Sequence, residues 1–380
     1  RYGVGAAVVG ALAAVAGLFV SAEAFFQGYL APFVFWSGLS LGCLAVLMLH
    51  HVVLGAWGHV TQRILEAGAL TVGLAAVLFV PLAFGLPYVY EWTHPEVVAE
   101  DPVLQHKQFY LNTPFFLIRA VLYFAVWGAL AYFLRRWSVR VDATGDPALA
   151  TRLRRFATGG IVAHVLLITF ASTDWVMSLD PHWFSTIFGW LILVSQMLTG
   201  LALAVLVLAA TRHVAPLDEQ VTVTHFHDYG NLILTFVILW TYLMFMQYFI
   251  IWVGDIPEEI VWYIDRQAGA WSWIVPILIV LHFVIPFFVL LSRRSKRSVR
   301  ALSALAAGLL VVHTVYVVWL VLPSFQEAIA ATYGVAAALF VGMGGAWVAV
   351  FAWALGRHPL LPQNDPRYDP SRHATAEANP

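Results

Sequence analysis

The chain has 380 residues, of which 61% are hydrophobic and only 11% charged, and its formal net charge is −1 at pH 7. A water-soluble protein carries about 25% charged residues, so this composition excludes a surface built for water, and the near-neutral balance gives no footprint for a nucleic-acid partner. The single cysteine, Cys43, excludes an intrachain disulfide and leaves no Cys-x-x-Cys for zinc, iron–sulfur or covalent haem.

A membrane span needs about 20 predominantly apolar residues. Ten stretches qualify, in chain order 3–24, 31–56, 64–85, 112–135, 157–178, 184–210, 229–252, 270–291, 301–322 and 331–355. The expected class is therefore an all-α integral membrane protein, and residues are expected upstream of Arg1, which is not a methionine. Longer connections are expected at 86–111, 136–156, 211–228 and 253–269, and the Pro-rich tail 357–380 reads as extended or disordered. With ten spans, 17 of the 20 Lys and Arg residues share one side with both termini; only Lys107 and Arg266 fall in the opposite loops, and Arg119 lies inside the fourth span. Lys/Arg excess marks the cytoplasm, so both ends are predicted there. The opposite loops are acidic, with Glu91, Glu96, Glu100 and Asp101 in one and Asp255, Glu258, Glu259 and Asp265 in the other.

The stretch "STDWVMSLDPHW" (172–183) interrupts a very apolar region. It reads as the outer turn between the fifth and sixth spans, with Asp180 capping the next helix, Pro181 in its first turn, and Trp175, Trp183 and Trp190 in an interfacial belt. An internal repeat is also visible: the second and sixth spans align with Trp36 on Trp190 and "GHV" (58–60) on "RHV" (212–214). Spans two to five and six to nine would then form two tandem four-helix bundles, with boundaries at 1–30 (first helix), 31–180, 181–325, 326–356 (last helix) and the tail.

Ionisable residues inside a bilayer are costly and by default functional. Arg119 lies about 12 Å from the outer end of its span and Asp174 near the outer end of the next, so the two are predicted to pair. They read equally as helix glue or as a proton-conducting or ligand-polarising pair. His164 lies about 15 Å deeper than Asp174, and His50 and His51 lie at the inner end of the second span. Most lone histidines, His282 and His313 among them, read as hydrogen-bonded core residues, while Glu66 and Asp228 lie close enough to the headgroups to be solvated. A bis-histidine haem between His50 or His51 and His164, or between His282 and His313, is the sharpest rival chemistry. It needs two histidines at matching depth on facing helices; against it, each helix carries only one usable level, whereas a two-haem bundle would want histidines at two depths on the same helices.

The ten spans, their repeat and the acidic loops resemble the NrfD-like membrane subunits of quinone-linked oxidoreductases. More narrowly, "HKQFYLNTPFFLIRAVLYF" (106–124), "STDWVMSLDPHWFSTIFGW" (172–190), "HDYGNLILTFVILWTYLMFMQYFIIWVGDIPEE" (227–259) and "LLSRRSKR" (290–297) are similar to the F subunit of bacterial alternative complex III. That complex is a quinol:electron-acceptor oxidoreductase serving cytochrome c or another high-potential acceptor. The resemblance implies a multi-pass subunit of the bacterial cytoplasmic membrane that binds no cofactor and no metal and is not catalytic alone. It implies partners that carry the redox groups: an iron–sulfur protein, haem c proteins, and a sister NrfD-like subunit as the better candidate for the quinol site. The first span here has neither the His nor the Asn that quinone sites of the wider family use. The implied proton route maps onto Asp174 and Arg119 on the outer side and His164, His50 and His51 toward the cytoplasm. A structural anchor for the complex and a second quinone-binding subunit are the alternatives.

Overall fold

The computed structural model describes residues 21–325 and 329–368, together with Gly3, Gly5 and Gly10. Among them there is no β-strand, and nine helices are long and apolar enough to cross a membrane. They are α1 (Ala22–Val53), α2 (Gln62–Phe84), α3 (Thr113–Thr144), α4 (Pro147–Trp175), α5 (Phe188–Thr211), α6 (Val223–Gly254), α7 (Gly269–Leu291), α8 (Val299–Val321) and α9 (Ala330–Leu355). These match the second to tenth expected spans. The first, 3–24, lies outside the described residues apart from three glycines and residues 21–24, which already belong to α1 and its cap.

Helix α1 is buried along almost its whole length, packed by α2, α4, α5 and α9, while α5 in turn carries α6 and α8. The α1 and α5 backbones come into contact at two glycines: a Cβ on Gly42 would overlap the Gln196 carbonyl oxygen, and one on Gly200 would lie 2.7 Å from the Gly42 carbonyl carbon. Small residues allow such backbone contact where lipid supplies no hydrophobic drive for helices to associate. Indole donors tie α9 to its neighbours, Trp36 giving to the Phe340 carbonyl at 3.0 Å and Trp347 to the Ser40 hydroxyl at 2.9 Å. The outward faces stay apolar: Ile118, Val121 and Leu122 on α3, Val162, Leu166 and Phe170 on α4, and Phe245, Ile250 and Trp252 on α6 are exposed. A soluble protein would bury such stripes; here they fit lipid.

Loop contacts define two faces. On one, Arg63 meets Asp142 at 2.8 Å and Lys296 donates to Asn231 at 2.7 Å. On the other, His182 meets Asp101 at 2.7 Å and Arg266 donates to Leu320 and Ser324. We term them the basic and the acidic face.

Several expected boundaries move. Helix α1 starts at Ala22, capped by Ser21, so the 30/31 boundary falls inside a helix. The polar residues of its first turns are accommodated within the helix, Gln27 donating to Glu23 one turn away at 2.9 Å. The expected loop 136–156 is mostly helix, because α3 and α4 run on beyond the apolar stretch and meet at Gly145 (φ 63) and the Asp146 N-cap. Asp180 does not cap α5. That helix begins at Phe188, since His182 is held by Asp101 and Ser185 donates to Gln247, which keeps 182–187 out of the helix. Nor do the three tryptophans form a belt: Trp175 and Trp183 are buried, Trp183 stacking on Trp262 with centroids 4.6 Å apart, and only Trp190 is exposed. The tail up to Tyr368 folds back onto the basic face; residues 369–380 lie outside the described residues.

Candidate functional site

Helix α3 is started by Asn112, whose side chain accepts from the Phe115 amide, with Pro114 in the first turn. Arg119 therefore enters about 9 Å along α3 from the acidic face. Helix α4 runs the opposite way and ends at Trp175, which brings Asp174 to the same depth. The two form a forked pair: Arg119 Nε and Nη2 each donate to one Asp174 oxygen at 2.8 Å. Tyr123, one turn further along α3, donates its hydroxyl to Asp174 Oδ2 at 2.7 Å. The remaining guanidinium nitrogen, Nη1, donates to the Tyr110 carbonyl at 2.9 Å, and the Tyr110 and Phe115 rings face the cation at 3.8 and 4.4 Å. Asp174 is 0% exposed and Arg119 6%. A charged pair so dry is sustained only because its hydrogen bonds are nearly all satisfied. Burial first, and the Asp174 carboxylate second, push the Tyr110 hydroxyl well above its ordinary range, so it stays protonated.

His164 lies deeper on α4, beneath a layer of rings. Trp127 stands 6.1 Å from it and 5.8 Å from Tyr123, centroid to centroid, so His164 does not touch Asp174. It is buried, and neither ring nitrogen finds a hydrogen-bond partner among the described residues. The expectation of a hydrogen-bonded core histidine fails here, and likewise for His282. His225 is hydrogen-bonded, sharing a capping box with Thr222 at the start of α6.

His50 and His51 open onto a polar network at the basic face. His50 Nε2 meets Gln62 Oε1 at 3.2 Å, and Gln62 Nε2 donates to Ser138 Oγ at 2.6 Å and to Glu66 Oε1 at 3.1 Å. Arg63 bridges Glu66 and Asp142 at 2.8 Å each, and Ser138 donates to Glu66 at 2.5 Å. Glu66 is thus not solvated: its side chain is 0% exposed and takes three donors. The reading from sequence missed Gln62, Arg63 and Ser138. The one available signal was the i, i+3 and i, i+4 spacing of Arg63 and Gln62 to Glu66 at the head of an apolar run.

A strap from the C-terminal segment covers this network. Asp142 Oδ1 accepts the backbone amides of Gln363 and Asn364 at 2.7 and 2.9 Å, Arg367 Nη1 lies 3.4 Å from His51 Nδ1, and Tyr368 stacks on His59 at 3.7 Å. Burial pushes the His59 imidazole down to about 4, with Asp365 pulling the other way. Burial would raise the Asp365 carboxyl, but Arg367 holds it below the usual carboxylate range.

On the acidic face a cavity of about 430 Å³ is lined by Glu23, Gln27, Tyr90, Glu91 and His94, among others. Tyr90 joins it to the buried pair's surroundings by donating to the Trp175 carbonyl at 3.0 Å. Among the described residues no group of three or more His, Cys, Asp or Glu is arranged to hold a metal ion. The site thus comprises a forked ion pair near the acidic face, a buried histidine midway along α4 and a carboxylate–histidine network at the basic face. All five residues singled out from sequence are buried, but only Arg119 with Asp174 and His50 with His51 are brought together.

These helices and this interior define an α-helical membrane protein. No protein-family model matches the chain, and no curated protein matches it either.

Proposed function

We propose that the chain is a multi-pass subunit of a quinol:electron-acceptor oxidoreductase, similar to the F subunit of alternative complex III, and that it moves protons across the membrane. On this reading the basic face is cytoplasmic, α1–α4 form one four-helix bundle and α5–α8 a second, and quinol, iron–sulfur clusters and haem c belong to partner subunits. One observation carries the proposal: the Arg119–Asp174–Tyr123 triad, an ion pair with an extra donor in a fully buried position. A proton arriving from the basic-face network by way of His164 would sit on Asp174 and release the guanidinium. Arg119 would keep its charge against the Tyr110 carbonyl and the two ring faces, leaving a positive site that drives the proton on toward the acidic-face cavity. Moving one charge through a membrane potential takes about 2.3 kcal/mol per 100 mV, so the route needs such charge-compensated stations.

The experiment is the double replacement Arg119→Leu/Asp174→Leu in the intact complex. The expected outcome is an assembled complex that oxidises quinol but moves fewer protons. Normal assembly with a full proton yield would make the pair helix glue and the chain a structural anchor. Quinone binding is a second reading, favoured by the polar cavity at Glu23, Gln27 and His94. A quinone analogue whose photo-crosslink maps to residues 87–94 would support it.

A further inference from the structure

The part of the chain formed by α6, α7 and α8 holds a second group of buried ionisable side chains, away from the triad. His282 on α7 and His313 on α8 face each other with ring centroids 6.2 Å apart, and Tyr316 lies one turn beyond, 5.5 Å from His313 and 6.4 Å from His282. Trp240 of α6 covers His282 at 4.0 Å. The two histidines are 0% and 4% exposed. Both nitrogens of His282 and Nδ1 of His313 have no hydrogen-bond partner among the described residues. A buried polar group without a partner is destabilising, and two such rings side by side in an apolar interior are not explained by packing. Leucine would fill the same space at less cost.

The backbone is unusual at the same place. Residues Ile279–Val284 form a π-helical turn centred on His282. Pro286 has no amide hydrogen to give to the carbonyl four residues back, which is that of His282, so the regular ladder is interrupted there. Such turns are frequent at functional sites. The group also leads to the acidic face. Tyr316 lies 6.4 Å from Trp319, whose indole nitrogen is 3.4 Å from the Arg266 carbonyl. Arg266 is itself buried, its guanidinium held by the carbonyls of Trp262 and Leu320, the Ser324 hydroxyl and the Trp262 ring at 3.8 Å. The order of residue types, arginine near the acidic face, then tyrosine, then histidine in mid-membrane, is that of Arg119, Tyr123 and His164.

We propose that His282 and His313, with Tyr316, form a second proton-transfer site, so that the chain carries two separate routes. In the transfer step a proton binds one imidazole nitrogen and another leaves from the far nitrogen. The ring returns to neutral in its other tautomer, and no electron moves. The Tyr316 hydroxyl passes the proton by giving its own and accepting one. The charged and titratable groups facing the site are His313 and Tyr316 from α8 and, beyond them, Tyr263 and Arg266 from the Pro257–Gln267 helix.

Only the functional readout rests on the proton-moving role proposed above. Exchange of the imidazole C2 hydrogen for deuterium requires a ring that takes a proton and meets water, and mass spectrometry reads it on the unmodified complex. The proposal expects His282 to exchange with a sigmoidal pD profile and a His282→Leu/His313→Leu complex to assemble with a reduced proton yield per electron. It is overturned if His282 does not exchange while the exposed His106 does, or if the double variant moves protons at the wild-type ratio. Should the variant fail to assemble, the exchange profile decides alone. Unchanged coupling in Asp174→Asn, together with both expected results here, would remove the triad and leave this site standing.

Discussion

Asp174 and Glu66 show the same device at opposite faces: a carboxylate without solvent exposure, held by one arginine and by further donors, Tyr123 for Asp174 and Gln62 and Ser138 for Glu66. Removing one member of such a pair leaves the other charge buried, which costs about 3–5 kcal/mol. We predict that Arg63→Met, which strands the fully buried Glu66, lowers thermal stability by that order, and that Glu66→Leu/Arg63→Met recovers part of it, the partly exposed Asp142 still lacking its partner, as read by a melting curve in detergent. A single replacement with no effect would mean that water reaches the network. The two carboxylates were not equally legible. Asp174 sits so far inside an apolar run that its cost is visible in the sequence. Glu66 lies two residues from the edge of one, where only the fold reveals that Ser138 and the strap close over it. Tyr123 was hidden for another reason: one turn from Arg119 is a short step in sequence, but a tyrosine in a span has several uses.

At the scale of elements, the apolar runs located the helices but not their ends. Helices α3 and α4 continue past their apolar stretches because charged residues stop lipid contact, not helix formation. The true stop signals, Gly145 and Asp146-Pro147, were present in the sequence and outvoted by hydropathy. The strap was illegible, because a Pro-rich polar tail offers no periodic pattern, and its docking depends on partners from α1, α3 and the His59 turn. Its binding is predicted to depend on pH. His59 is held at about 4 when docked, against about 6.5 when free. The undocked form therefore binds the extra proton between those values, and docking is strongest above about 6.5 and weakens as pH falls toward 4. Asp365, held low by Arg367, loses stability in the same direction on acidification. Between pH 7 and pH 5 the His59 contribution is bounded above by about 2 kcal/mol, the value reached when the strap supplies all of the burial. Tryptic cleavage after Arg367 should accordingly be slow at pH 7.5 and faster, relative to an unstructured control peptide, near pH 5.5. Equal relative rates would separate the strap from His59.

For the whole molecule, the sorting of Lys and Arg to one face sets the proposed orientation. Cys43 is buried, so introduced cysteines can be read against a low background. Glu100→Cys and Gln267→Cys are predicted to react with an impermeant reagent only from outside the cytoplasm, and His213→Cys only from inside; any reversal would invert the topology. The central claim is that Asp174 carries protons rather than merely joining two helices. It is tested most directly by the number of protons released per electron in vesicles containing the Asp174→Asn complex. Asparagine keeps the size and part of the hydrogen bonding but cannot take up and release a proton. The account predicts a complex that still assembles at lower thermal stability, continuing quinol oxidation and a clearly lower proton-to-electron ratio; an unchanged ratio at normal turnover would contradict it.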